Sequence, residues 1–159
     1  MNGGAAAALT AAIGSELVQM IASLNDVRLK RSSGSAQKAL ALQKKFKALV
    51  AEDSKAFAAI KKAYKYRAKK PGVLQAALKK GAQPPLRICG HCAEAGALIK
   101  KEAPRTSHWL EGDRKEAKIL ITAAFASANL SVEANLRMID DRGFRNSIRK
   151  KVKAWQRSL

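Results

Sequence analysis

Apolar and polar positions divide this chain into helical stretches. Met1 to Leu24 is small or apolar almost throughout, with Glu16 as its one charged side chain. A helix that is apolar nearly all round has to be wrapped by other elements or by lipid. The stretch is therefore predicted as a central Ala/Gly-rich helix from about Gly3 to Leu24, ended by Asn25-Asp26 and a serine-rich loop. From Ser35 to about Tyr66 the pattern changes. Leu42, Phe46, Leu49, Val50, Phe57, Ile60 and Tyr64 recur mostly at three- and four-residue steps, with lysines on the other faces, which predicts an amphipathic helix. Pro71 opens a short third helix to about Ala82, and Pro84-Pro85 interrupts or kinks the run. A fourth helix reaches about Lys101, a loop spans 102–110, and a fifth begins near Asp113. The last follows Gly143, its stripe of Phe144, Ile148, Val152 and Trp155 facing an almost wholly basic surface. The expected fold is all-α: a bundle of five to six helices in a single domain over 1–159, with 145–159 as a basic amphipathic helix end.

Charge adds a constraint that the apolar pattern does not. The 31 Lys and Arg against 12 Asp and Glu give a net charge of +19, which predicts an anionic partner. Nucleic acid, acidic membrane and a polyanionic small molecule all satisfy that requirement. Insertion of the first helix into a membrane is disfavoured by Glu16 and Gln19 and by weakly hydrophobic alanine. A cytoplasmic protein is expected. Two cysteines do not make a disulfide framework.

Cys89-Gly90-His91-Cys92 is a C-x-x-C, but its flanks are helical, and a redox motif needs a strand before the first cysteine. Core packing is the expected role, and no metal site is predicted. A dedicated nucleic-acid reader is the less supported reading, since aromatics total 5% and interleave closely with cations only at Tyr64–Arg67. The scarce carboxylates carry more information. Asp53 follows Glu52, Asp113 opens the fifth helix, and Asp140-Asp141 stand at the last junction. Capping suits Asp113 and Asp141; a carboxylate in so basic a chain can also bind a cationic substrate or orient a water. Gly3-Gly4 before a helix leaves backbone N–H groups open to a ligand.

Taken in order, these segments resemble one family. The opening Gly3-Gly4-Ala5-Ala6-Ala7-Ala8-Leu9, the run Glu52-Asp53-Ser54-Lys55-Ala56-Phe57 with Ala63-Tyr64-Lys65, Pro85-Leu86, Gly112-Asp113, and Asn135-Leu136 with Ile139-Asp140-Asp141 and Phe144 are similar to the motifs of the cyclodeaminase/cyclohydrolase family. Departures fall at Asn2, where the family has a glycine, at Ala5, where it has a serine, and at Ser131, where asparagine is common. The family's usual N-terminal helix has no counterpart before Gly3.

The resemblance implies a dimerising all-helical fold and folate-bound one-carbon chemistry. The expected activity is hydrolysis of 5,10-methenyltetrahydrofolate to 10-formyltetrahydrofolate, with deamination of 5-formiminotetrahydrofolate or a noncatalytic basic binding role as alternatives. No cofactor is expected besides the tetrahydrofolate substrate, whose glutamate tail would suit the basic surface. The expected site has Asp113 and Asp53 as catalytic groups, with Gly3, Gly4, Asn135 and Asp140 binding substrate.

Overall fold

The computed structural model describes residues 2–159, and all regular structure among them is helical. Six α-helices follow in order: α1 (Gly3–Leu29), α2 (Ser35–Tyr64), α3 (Pro71–Gly81), α4 (Gln83–Glu102), α5 (Glu111–Leu136) and α6 (Arg142–Gln156). Two short 3-10 turns, Ala103–Arg105 and His108–Leu110, fill the loop before α5. The all-α expectation holds.

The alanine-rich first helix is the post of the bundle, packed by α2, α4 and α5. Ala5, Ala8, Ala11 and Ala22 are wholly buried, with Val18 and Ile21 beside them. Small side chains let the neighbouring helices approach closely: a methyl on Gly14 would meet Ile121 and Leu120 of α5 at 3.0–3.2 Å. By length and composition α1 and α5 are apolar enough to cross a membrane. In the bundle α1 packs against α2, α4 and α5, and α5 packs against α1 and α4.

Asn25-Asp26 does not end α1. The helix continues to Leu29 and stops at Lys30, whose left-handed backbone (φ 49°) lets its N–H reach the last carbonyls. Asn25 is instead a buried polar residue. Its Nδ2 donates to Glu102 of α4 at 2.9 Å, a partner that the local sequence does not reveal. Pro84 and Pro85 produce no kink inside a helix, because α3 ends at Gly81 and both prolines sit in the first turn of α4. The N–H groups that proline lacks are unneeded there.

The cysteines are core residues, as expected. Both are fully buried, and Cys89 Sγ donates to the Phe125 carbonyl at 3.8 Å. Burial pushes the Cys89 thiol up to about 12 and raises Cys92 as well, so neither forms a thiolate at neutral pH. Asp141 caps α6 by accepting from the Phe144 N–H at 2.9 Å. Asp113 is not a cap but lies within the first turn of α5. The apolar stripe of α6 seats Ile148 and Val152 in the core, and Trp155 lies against Gly90 of α4.

Candidate functional site

The site begins with the way α1 starts. Asn2 is extended (φ −111°, ψ 176°), and its Oδ1 accepts from the Ala5 N–H at 3.1 Å. That is N-capping. The next N–H, of Ala6, bonds the Asn2 carbonyl at 3.0 Å. The N–H groups of Gly3 and Gly4 have no partner among the described residues, so the positive end of the helix dipole carries free donors.

Asp53 comes to this point from α2. Its carboxylate rests on Gly4, where a Cβ would overlap both oxygens and stand 2.5 Å from Cγ. Only glycine at position 4 gives the carboxylate that place. Asp53 is 5% exposed. Burial raises its pKa above the ordinary aspartate value; the Asn2 side chain and the Ala5 N–H offset part of that rise. The result is a carboxylate that holds its proton more readily than a surface aspartate. It still faces the donors of a helix start.

Around this pair lies a cleft of about 140 Å³ lined by Asn2, Gly3, Gly4, Asp53, Phe57, Ile60, Gly81, Ser131, Ala134 and Asn135. Four helices contribute. Asn135 of α5 is fixed by donating its Nδ2 to the Gly81 carbonyl at 3.1 Å, which ties α5 to the end of α3. Gly81 is glycine for a packing reason, since a Cβ there would run into the Ile60 side chain. Ser131 Oγ lies 3.4 Å from the Cβ position of Gly3, so its hydroxyl edges the same cleft. Phe57 and Ile60 make one wall apolar. Chemically, the cleft offers one buried carboxylate, a carboxamide, a hydroxyl and helix-start N–H groups. That set suits a small cationic or amide-like centre, with the carboxylate as counter-charge or base.

Four of the six expected site residues come together here: Gly3, Gly4, Asp53 and Asn135. Asp113 does not. It shares α5 with Asn135, but about 33 Å of helix separates them at the rise of an α-helix, so within one chain it stands at the opposite end of the bundle. Asp140 is also outside the cleft. It is exposed, and its backbone N–H donates to Gln75 Oε1 at 2.9 Å. Its position in the chain just after Asn135 brings it to the α3 side rather than inward. Phe57, Ile60, Gly81 and Asn2 were not anticipated as lining. For Asn2 a signal existed, as an asparagine ahead of a helix start is a cap. For Gly81 there was none, because Ile60 alone sets its requirement. Among the described residues no group of three or more His, Cys, Asp or Glu is placed to hold a metal.

Comparison with known proteins finds relatives in sequence and in fold. The chain is 30% identical over 156 residues to a methenyltetrahydrofolate cyclohydrolase of Methylorubrum extorquens, covering 90% of this chain and 75% of that protein. Its fold superposes on the crystal structure of formiminotetrahydrofolate cyclodeaminase from Thermotoga maritima with a TM-score of 0.91 and 25% identity, over 99% of this chain and 81% of that one. The family model described as formiminotransferase-cyclodeaminase matches residues 2–154, from the cap of α1 into α6, and this chain belongs to that family.

Proposed function

We propose that this protein is a folate-dependent one-carbon enzyme that hydrolyses 5,10-methenyltetrahydrofolate to 10-formyltetrahydrofolate. The observation that carries the reading is the Asp53 carboxylate, buried against the glycine start of α1 inside the cleft. The methenyl carbon bridges two nitrogens and shares a positive charge with them. A buried carboxylate beside it stabilises that cation far better than one in water. As water adds to the carbon, Asp53 takes its proton. The C–N5 bond then breaks as Asp53 returns the proton to N5 and the hydroxyl proton of the adduct passes to solvent, leaving the formyl group on N10. A carboxylate whose pKa is raised is the stronger base for the first step and remains an acid for the last. Helix-start N–H groups of Gly3 and Gly4 and the Asn135 side chain orient the ring.

The 30% identity to a cyclohydrolase supports this reaction. The structural likeness to a cyclodeaminase supports a second reading, in which the same residues promote loss of ammonia from 5-formiminotetrahydrofolate with ring closure. The two are separated by measuring decay of the methenyl absorbance and release of ammonia with purified protein. Neither rate exceeding buffer would overturn both.

The protein is also proposed to act as a homodimer. Leu9, Ile13, Met20, Leu24 and Val27 form an exposed stripe along α1, and Ile119 and Leu130 lie exposed on its neighbour α5. Neither Lys nor Arg occurs before Arg28, so at +19 this is the face on which two copies meet with least like-charge repulsion. An isologous contact there requires no other partner. Sedimentation of the wild type as a dimer and of Ile13→Glu/Leu130→Glu as a monomer is expected; a monomeric wild type refutes it.

A further inference from the structure

Helix α6 carries a charge pattern that the Asp53 cleft does not use. From Arg142 to Leu159 there are seven Lys and Arg and no Asp or Glu, and no residue of α6 lines the cleft. The apolar side of α6 is taken up by the bundle: Ile148 and Val152 are buried, and Phe144 and Trp155 pack against the same core. The opposite side is a single stripe. Arg142, Asn146, Lys150, Lys153 and Arg157 follow one another at steps of three and four residues and are all exposed, which places them on one helix face.

The charges of this stripe are uncommitted. Arg142, Lys150, Lys153 and Arg157 enter no ion pair among the described residues. Glu133 is held by Arg149, through Nη2 at 2.8 Å and Nε at 3.0 Å, and Asp141 by Lys79 at 2.7 Å. The stripe also lacks an apolar anchor: among the described residues no large hydrophobic side chain after Met138 is exposed. A helix that binds a membrane surface needs a free apolar face, and a protein interface is anchored by aromatic side chains that it buries. Helix α6 has given both to its own core. The exposed rings of Phe57, Tyr64, Tyr66 and Trp109 lie on other segments, so a single strand finds no stacking platform here. Helix α2 is basic too, but its seven cations are spread over 30 residues with Glu52 and Asp53 among them.

We infer that the outer face of α6 binds double-stranded DNA through its phosphates, without reading sequence. A helix with its side chains is about 10–12 Å across, which matches the major groove of B-form DNA at about 12 Å. The deep, narrow major groove of double-stranded RNA does not admit it. Arg142, Lys150, Lys153 and Arg157 pair with phosphates, and the Asn146 carboxamide donates to a phosphate oxygen between them. Each phosphate neutralised releases counterions, so affinity falls steeply with salt.

The test is fluorescence anisotropy of a labelled, mixed-sequence DNA duplex titrated with the full chain at several salt concentrations. Four phosphate contacts predict a slope of about −3.6 in log K against log salt, so affinity should fall about 150-fold between about 50 and about 200 mM. Lys150→Gln/Lys153→Gln/Arg157→Gln changes only exposed positions and should melt as wild type does, with the slope reduced to about −1. Lys150→Ala alone should reduce it by about one. The charge-matched control is Lys44→Gln/Lys47→Gln/Lys55→Gln, on the exposed side of α2, which should keep the wild-type slope. Single-stranded DNA, double-stranded RNA and phosphatidylserine vesicles are then offered as competitors, and each should displace the duplex only at higher phosphate concentration than unlabelled duplex does. A wild type that leaves the duplex unbound at low salt overturns the inference. Equal losses in the α2 and α6 variants also overturn it, since the net charge and not the α6 face would then hold the DNA. So does a competitor that matches the unlabelled duplex: the face would then suit a single strand, an A-form helix or an acidic membrane.

Discussion

The geometry of Gly4 allows a test in which one methyl group is the only change. In Gly4→Ala the new Cβ would stand 2.5 Å from Asp53 Cγ and overlap both carboxylate oxygens. Carbon atoms separate to about 3.5 Å or more at rest, so the carboxylate must retreat by about 1 Å. The atoms displaced belong to a side chain rather than to backbone, so the fold can yield. Alanine also gains up to about 1 kcal/mol of helix propensity over glycine. The net change in stability is therefore expected to stay within about 1 kcal/mol, and the melting temperature should move little. Activity should not follow. A displacement of about 1 Å at a reacting group costs on the order of a hundredfold, and the retreating carboxylate also loses the helix-start donors that face it.

Gly3→Ala is the internal control. Its Cβ would meet only Ser131 Oγ, at 3.4 Å, an ordinary contact. The assay is stopped-flow decay of the methenyl absorbance, with kcat and KM determined separately alongside a thermal melt. Gly4→Ala should lose about a hundredfold in kcat/KM at nearly unchanged stability, and Gly3→Ala should stay within about threefold. If Gly4→Ala keeps its kcat within twofold of wild type, the placement of Asp53 on the start of α1 has no part in the chemistry. Equal losses in the two variants would point to disturbance of the helix terminus rather than of the carboxylate.

Three further outcomes are expected from the same packing. Asp53→Asn should lower kcat by about 10²- to 10⁴-fold, yet melt higher than wild type at neutral pH. Burial raises the folded-state pKa of Asp53, so its contribution to stability is fully present below the unfolded aspartate pKa and is lost as pH rises through the folded value; the gain in melting temperature should vanish as pH falls toward about 4, and a gain independent of pH would contradict this. Asp113→Asn should leave kcat/KM within about twofold, since Asp113 lies at the far end of α5 from the cleft; a large loss would mean that Asp113 reaches the chemistry by another route, such as across a subunit contact. Glu102→Ala should destabilise the fold by roughly 3 kcal/mol, read from denaturant titration, because Glu102 is 1% exposed and bonded to Asn25 and Arg105. Burial alone would raise the Glu102 pKa, but the hydrogen bond from Asn25, the nearby Ser33 and Ser35 and the Arg105 charge together lower it. Its contribution is therefore present above the unfolded glutamate pKa and lost as pH falls through the folded value.

What could be read from the sequence was what the local chain decides. The period of apolar residues in α2 and α6 is imposed by one buried face, so those helices were legible, and α1 was legible because no polar face interrupts it. What failed was set by partners distant in the chain. Asn25 has the composition of a helix end, but its Nδ2 donates to Glu102, and α1 runs on for another turn. Gly81 has no local reason to be glycine; Ile60 supplies one. The same distinction separates the two candidate catalytic aspartates. Both stand in segments that resemble family motifs, and motif order says nothing about which ends of antiparallel helices meet. Helix α5 carries Asp113 at its beginning and Asn135 at its end, so only one of them can share a cleft with the start of α1. Packing chooses Asn135, because Gly14 meets Leu120 and Ile121 while Gly3 meets Ser131, which runs α5 antiparallel to α1. A carboxylate for that cleft must then come from another helix, and Asp53 is the one that a glycine at position 4 admits.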